Sequence, residues 1–193
     1  MNSKVFVFLI LSTTSYRISL AQSYNVTDNE STQLPSSNTE TPRTTSQSED
    51  YPKWVSSSRG GKIPLGAIQG GIDSDGAILY VARAFHETEI IPGKLNSLSK
   101  LTYMGNNGIE YAKTSYEVLV GCKAHWEIPR ENNIPPNAII AGVAYDGAYY
   151  VCRVRLLGNL TNGKMHNRHS RCYIPYGGIE HTYNEYEILC CGR

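Results

Sequence analysis

The sequence has no cysteine before residue 122, and no run of Lys or Arg long enough to follow a phosphate backbone. Its formal charge of +1 is spread over 193 residues, so neither nucleic acid nor an anionic membrane is expected as a partner. Long apolar runs are missing too. Apart from the first eleven residues, nothing approaches the ~20 apolar residues of a spanning helix, and no membrane insertion is expected. No window carries apolar residues at i, i+3, i+4 and i+7 for two turns, which argues against helix throughout. Motifs for chemistry are also lacking: there is no GxSxG elbow, no P-loop, no HExxH and no repeated Cys/His pairing. The chain is therefore not expected to be an enzyme, and no cofactor or metal is expected.

At the N-terminus, Lys4, the apolar run Val5 to Leu11 and the Ser19-Leu20-Ala21 ending have the form of a secretory signal peptide over residues 1–21. The mature protein is then secreted and extracellular. Residues 22–50 are rich in Ser and Thr and almost devoid of large apolar side chains, so they cannot bury enough surface to offset ordering entropy and read as a disordered leader. Asn25, Asn29 and Asn159 open glycosylation sequons, the last inside the folded part.

From residue 51 onward the chain is a duplication. Ile63 to Lys94 reads IPLGAIQGGIDSDGAILYVARAFHETEIIPGK, and Ile134 to Lys164 is a degraded copy. Val81-Ala82-Arg83 falls on Val151-Cys152-Arg153 and Lys94 on Lys164, a spacing of 164 − 94 = 70. Repeat 1 spans 51–121 and repeat 2 spans 122–193. Short β-branched and aromatic runs bounded by turn residues predict strands at 77–84, 101–104, 116–120, 138–143, 149–154, 173–175 and 186–190. The glycines and aspartates of 70–76 and Pro92-Gly93-Lys94 read as turns. The fold class is all-β: two pseudo-symmetric repeats, intertwined if the halves exchange strands, forming one sandwich-like domain. In Tyr116-Glu117-Val118-Leu119-Val120 alternation separates Tyr116, Val118 and Val120 from Glu117 and Leu119, and Leu119 means the second face is partly covered as well. Trp54 and Trp126 read as core anchors, with a sugar-stacking surface as the alternative.

Recurring Glu110/Glu180 and Glu117/Glu187 have the form of glycosidase carboxylates, but recurrence in both copies is more simply a property of the fold. Asp73-Ser74-Asp75-Gly76 resembles a calcium loop, yet the twelfth position is Ala84 where a glutamate is required. His166 and His169 lack a third ligand nearby in sequence and read as solvated.

The pattern W…IPxGAxxGGxDxDGxxxYVxRAxH…PGK…GxE…YEVL resembles the DM9 repeat, and the tandem pair resembles two-repeat DM9 proteins of invertebrates, some of them mannose-binding lectins. The likeness covers nearly all of residues 54–193. It implies calcium-independent recognition of mannose-type glycans, a role in innate immunity or host–pathogen contact, and a homodimer. It also implies that Asp73 and Lys94 contact sugar hydroxyls. A carboxylate that accepts and an ammonium that donates can hold a hydroxyl pair with charge-assisted hydrogen bonds; the plainer alternative is that Asp73 only shapes its turn. In repeat 2, Ala144 stands where Asp73 does, while Asp146 and Lys164 remain as weaker candidates. If the halves exchange strands, Lys164 would complete the pocket of Asp73. The rival function is a structural or surface-coat protein that binds no sugar.

Cys122, Cys152, Cys172, Cys190 and Cys191 are an odd number in an exported protein. Cys152 with Cys172 forms a plausible pair private to repeat 2, and Cys122 with either Cys190 or Cys191 would tie the junction to the C-terminus.

Overall fold

The computed structural model describes residues 51–131 and 133–192. The expected signal peptide and leader, with the sequons at Asn25 and Asn29, lie outside the described residues. Among the described residues, all regular structure is strand. Repeat 1 supplies β1 (Lys53–Ser58), β2 (Gln69–Ile72), β3 (Ile78–His86), β4 (Glu89–Asn96), β5 (Thr102–Asn106), β6 (Ile109–Lys113) and β7 (Ser115–Val120). Repeat 2 supplies β8 (Lys123–Glu127), β9 (Ile140–Ala144), β10 (Gly147–Leu156), β11 (Asn159–His166), β12 (Cys172–Tyr176), β13 (Ile179–Tyr183) and β14 (Glu187–Gly192).

The strands form one barrel-like sheet in the order β1-β7-β3-β4-β5-β6-β13-β12-β11-β10-β14-β8. Its two halves mirror each other about the β6–β13 seam, where Ile109 faces Ile179. Glu110 N–H donates to Gly178 O and Glu180 N–H to Gly108 O, so the seam obeys the pseudo-twofold at backbone level. The remaining strands cross between repeats. β9 pairs with its own β10 and also reaches β4, where Val143 faces Ile90. Its counterpart β2 pairs with β3 and lies against β11. Gly71 and Gly142 make these crossings possible, since a Cβ on either would run into the carbonyl of Leu160 or Ile90 on the opposite repeat. The halves are thus intertwined.

Alternation along the strands builds three apolar clusters. Ala82, Ala84, Ile91, Met104 and Val118 centre the first within repeat 1, and Val154, Met165, Ile174 and Ile188 centre the second within repeat 2. The third is shared: Val81 and Leu119 meet Val151 and Leu189, with Trp54 and Trp126 packed against them. Tyr116 and Val118 serve the first cluster and Leu119 the shared one, as the two-sided pattern of that segment requires. Burying each leucine contributes about 1.5–3 kcal/mol. Both tryptophans also stack on a guanidinium, Trp54 with Arg83 and Trp126 with Arg153, each 4.2 Å from the ring centre. Those arginines pair with Glu117 at 2.7 Å and with Glu187 at 2.5 Å.

Two readings of the sequence are corrected. Pro92-Gly93-Lys94 is no turn but the buried middle of β4, as Asn162-Gly163-Lys164 is of β11. Proline is tolerated because β4 pairs β9 at Ile90 and β5 only from Lys94 onward, so the second edge of the strand asks no N–H of residue 92. Gly93 is required because a Cβ there would strike the Tyr103 carbonyl. Likewise Gly70 and Gly71 belong to β2, and the turn itself is residues 73–76, closed by Gly76 N–H to Asp73 O at 3.0 Å.

Cys152–Cys172 lies inside repeat 2 and Cys122–Cys191 joins the junction to the C-terminus; Cys190 is left as a buried free thiol.

Candidate functional site

Asp73, Asp75, Lys94, Asn96, Tyr103 and Glu110 of repeat 1, with Tyr176 and Gly177 of repeat 2, line one open cavity of about 310 Å³. That is at the small end of the range of ligand sites, roughly 300–1,000 Å³. Larger clefts, one of about 840 Å³ beside Arg153 and Tyr186 and one of about 440 Å³ beside Arg83 and Tyr116, occupy equivalent places on the two repeats. They hold the Arg–Glu pairs already described.

Lys94 forms the floor. It points from β4 between the repeats and is only 3% exposed. Its Nζ donates to Thr161 Oγ1 at 3.4 Å and lies 5.1 Å from the Tyr176 ring centre. An ammonium has three donors, and one long hydrogen bond leaves capacity facing the cavity. Burial lowers the Lys94 pKa from its ordinary value, while the Glu110 and Asp73 carboxylates oppose that shift.

Asp73 forms the rim. Its Oδ1 accepts from Ser74 N–H at 2.8 Å and its Oδ2 from Asn96 Nδ2 at 3.2 Å. A carboxylate offers about four acceptor positions, so the turn engages Asp73 without exhausting it. Asp75 Oδ1 accepts from Ala77 N–H at 2.9 Å and helps shape the turn. Glu110 completes the acidic side, its Oε2 accepting from Gly178 N–H of the other repeat at 2.7 Å.

The equivalent place in repeat 2 is built differently. Lys164 Nζ donates to Gly105 O at 2.7 Å and pairs with Glu180 Oε1 at 3.1 Å, with the side chains of Lys164 and Glu180 only 6% and 7% exposed. The rings of Tyr149 and Tyr173 flank it at 5.1 Å and 5.9 Å. Lys164 is therefore held by Gly105 O and Glu180 within the seam, and it does not complete the pocket of Asp73. The cause is one residue: Glu180 occupies space that a side chain at Gly105 would fill, and Pro175 stands at the matching position beside Glu110. Glu180 Oε2 also accepts from Gly108 N–H at 3.0 Å, so Glu110 and Glu180 each hold the hairpin turn of the other repeat.

Asp146 has a different counterpart from the one its sequence position indicates. The first hairpin pairs Ile72 with Ile78 across five residues, the second pairs Ala144 with Gly147 across two. With the shorter turn, Asp146 Oδ1 lies 2.9 Å from His166 Nε2, and His166 stands where Asn96 stands beside Asp73. Asp146 thus fills the place of Asp73, held by His166. His166 also stacks with His169 at 4.6 Å between ring centres. Asn159 is half-exposed at the start of β11, next to the Asp73 turn.

Sequence reasoning missed Tyr176, Thr161, Tyr103 and Asn96. Tyr176 has Asn106 as its repeat-1 counterpart, so internal symmetry could not flag it.

The DM9 repeat family model matches residues 26–108, 73–183 and 148–193 in overlapping segments. No curated protein sequence matches the chain. The crystal structure of the nematode sperm cell motility protein MFP2B is similar in fold, with a TM-score of 0.58 and 19% identity over 72% of this chain. The chain spans 46% of that protein's length.

Proposed function

The chain belongs to the DM9 repeat family, and from that premise we propose that it is a secreted carbohydrate-binding protein recognising mannose-type glycans through Asp73 and Lys94. The observation that carries this reading is the buried Lys94 ammonium, with donors to spare, at the floor of an open cavity whose rim carries the Asp73 carboxylate. Vicinal hydroxyls both accept and donate, and this is the donor–acceptor pair that would hold them. The Tyr103 and Tyr176 rings add apolar walls for the C–H face of a pyranose. Lys164, tied to Glu180 and Gly105 O, leaves repeat 2 silent or weak. A homodimer would multiply one shallow site by avidity. Two disulfides are consistent with an oxidising, extracellular compartment, and innate immune or host–pathogen recognition is the role that fits such a protein.

Retention on mannan-agarose is the test. The wild-type protein is expected to be retained and released by free mannose, and Asp73→Ala to flow through while still unfolding cooperatively as a folded protein. Retention unaltered by Asp73→Ala removes the site. The second reading, a surface-coat protein without sugar binding, draws on the hydrogen bonds by which Asp73 already serves its turn and Asn96. It predicts no retention at all.

A further inference from the structure

The β8–β14 edge of the sheet gathers three side chains that the glycan reading does not use. In the antiparallel register Cys190 faces His125 directly, and Glu127 lies two residues beyond His125 on the same face of β8. His125 Nε2 and Glu127 Oε1 stand 2.8 Å apart, and the Cys190 thiol joins them so that all three ligand atoms lie within 4.8 Å of one another. The group is graded in exposure. Cys190 is fully buried, while His125 and Glu127 are 44% and 42% exposed, which leaves a solvent-facing side for water.

We propose that Cys190 Sγ, His125 Nε2 and Glu127 Oε1 form a binding site for a zinc-type divalent cation, completed by water. The donor set is thiolate, imidazole and carboxylate, which suits a borderline-soft ion. Tetrahedral bonds of about 2.0–2.3 Å place ligand atoms roughly 3.3–3.7 Å apart, so the 2.8 Å His125–Glu127 pair has to open slightly and the thiol, within 4.8 Å of both, to close in on them. Gly192 keeps the imidazole uncrowded, since a Cβ there would approach its Cε1 to 3.3 Å.

Two comparisons within the molecule separate this group from a chance ion pair. First, repeat 1 has the same register, with Lys53 facing Val120, but Lys53, Val55 and Val120 hold the three positions and none is such a ligand. All three ligating types enter together in repeat 2. Second, Cys190 has no disulfide partner: the remaining cysteines are bonded in pairs, its burial keeps a second chain away, and the thiol makes only a long hydrogen bond to Ile188 O at 3.8 Å. Cation uptake exchanges the S–H bond for a sulfur–metal bond and releases one proton, so affinity rises with pH.

The test is a cobalt(II) titration of the intact, chelator-treated protein. Expected is a near-ultraviolet thiolate-to-cobalt charge-transfer band that saturates at one cobalt per chain and is bleached by zinc. Cys190→Ser should abolish the band. Because that position is buried, His125→Asn and Glu127→Gln at the exposed edge provide the independent check, each weakening cobalt at least about tenfold. Lys94→Met should leave it unchanged. No band from the wild-type protein at millimolar cobalt, or a band of equal affinity in the His125 and Glu127 variants, overturns the site.

Discussion

The ammonium of Lys94, on β4 of the first repeat, lies 5.1 Å from the ring centre of Tyr176, on β12 of the second. Neither repeat alone contains the pocket. The intertwining of the halves is therefore a condition of the site as well as of the fold, and it generates the following expectations.

Tyr176→Ala, a change in the repeat whose own lysine is occupied, should weaken mannose-type glycan binding, and Lys94→Met should abolish measurable binding. A hydrogen bond to a charged group contributes about 1.5–3 kcal/mol, or roughly 10-fold to 150-fold in Kd. Titration calorimetry with a mannose oligosaccharide measures both. Full affinity in Lys94→Met would rule the lysine out.

Alkaline pH should act on Lys94 in two ways. Its folded pKa lies below the ordinary 10.5 because of burial, so between the folded value and 10.5 the unfolded chain binds more protons. The desolvation cost of the ammonium is then present at neutral pH and is relieved as pH rises through that window. Denaturant unfolding should show wild-type stability rising relative to Lys94→Met in that window, while glycan affinity falls as the ammonium deprotonates. A pH-independent difference between the two proteins would contradict the assignment.

Glu180→Ala strands Lys164 in the interior and removes the acceptor of Gly108 N–H. Removing one partner of a buried pair costs about 3–5 kcal/mol. Urea denaturation should report a loss of that order, and a loss below about 1 kcal/mol would mean the pair is hydrated. Glu110→Ala should cost less, because Glu110 lines the open cavity and has no lysine held against it in the same way.

Gly71→Ala and Gly142→Ala should each destabilise strongly, by about 2 kcal/mol or more, since the added methyl meets backbone of the opposite repeat. Gly60→Ala has open space around it and serves as the control. Equal midpoints for Gly60→Ala and Gly71→Ala would place β2 away from β11.

The duplication, the all-β class and the strands rich in β-branched and aromatic residues were legible in the sequence, because a period of two and a spacing of 70 are properties of the chain itself. The Asn107-Gly108 and Gly177-Gly178 hairpin turns were legible in principle too; both residues of each take positive φ, which is what such dipeptides are suited to. β4 and β11 were not. In β4, Pro92-Gly93-Lys94 read as a turn, and only the neighbouring Tyr103 and Tyr173 carbonyls show why Gly93 and Gly163 are needed inside strands.

The resemblance of the first copy to the family singles out Asp73 and Lys94, which line one cavity, but it does not indicate what surrounds them. Tyr176, Thr161, the capture of Lys164 by Glu180 and the convergence of Cys190 on His125 all depend on which strand lies beside which. The amino-acid order determined that two like units would form and where each would bend. Which residues of one unit meet those of the other was decided by the tertiary structure, because contacts between distant strands follow from register and crossing, and these are settled only when the whole sheet closes.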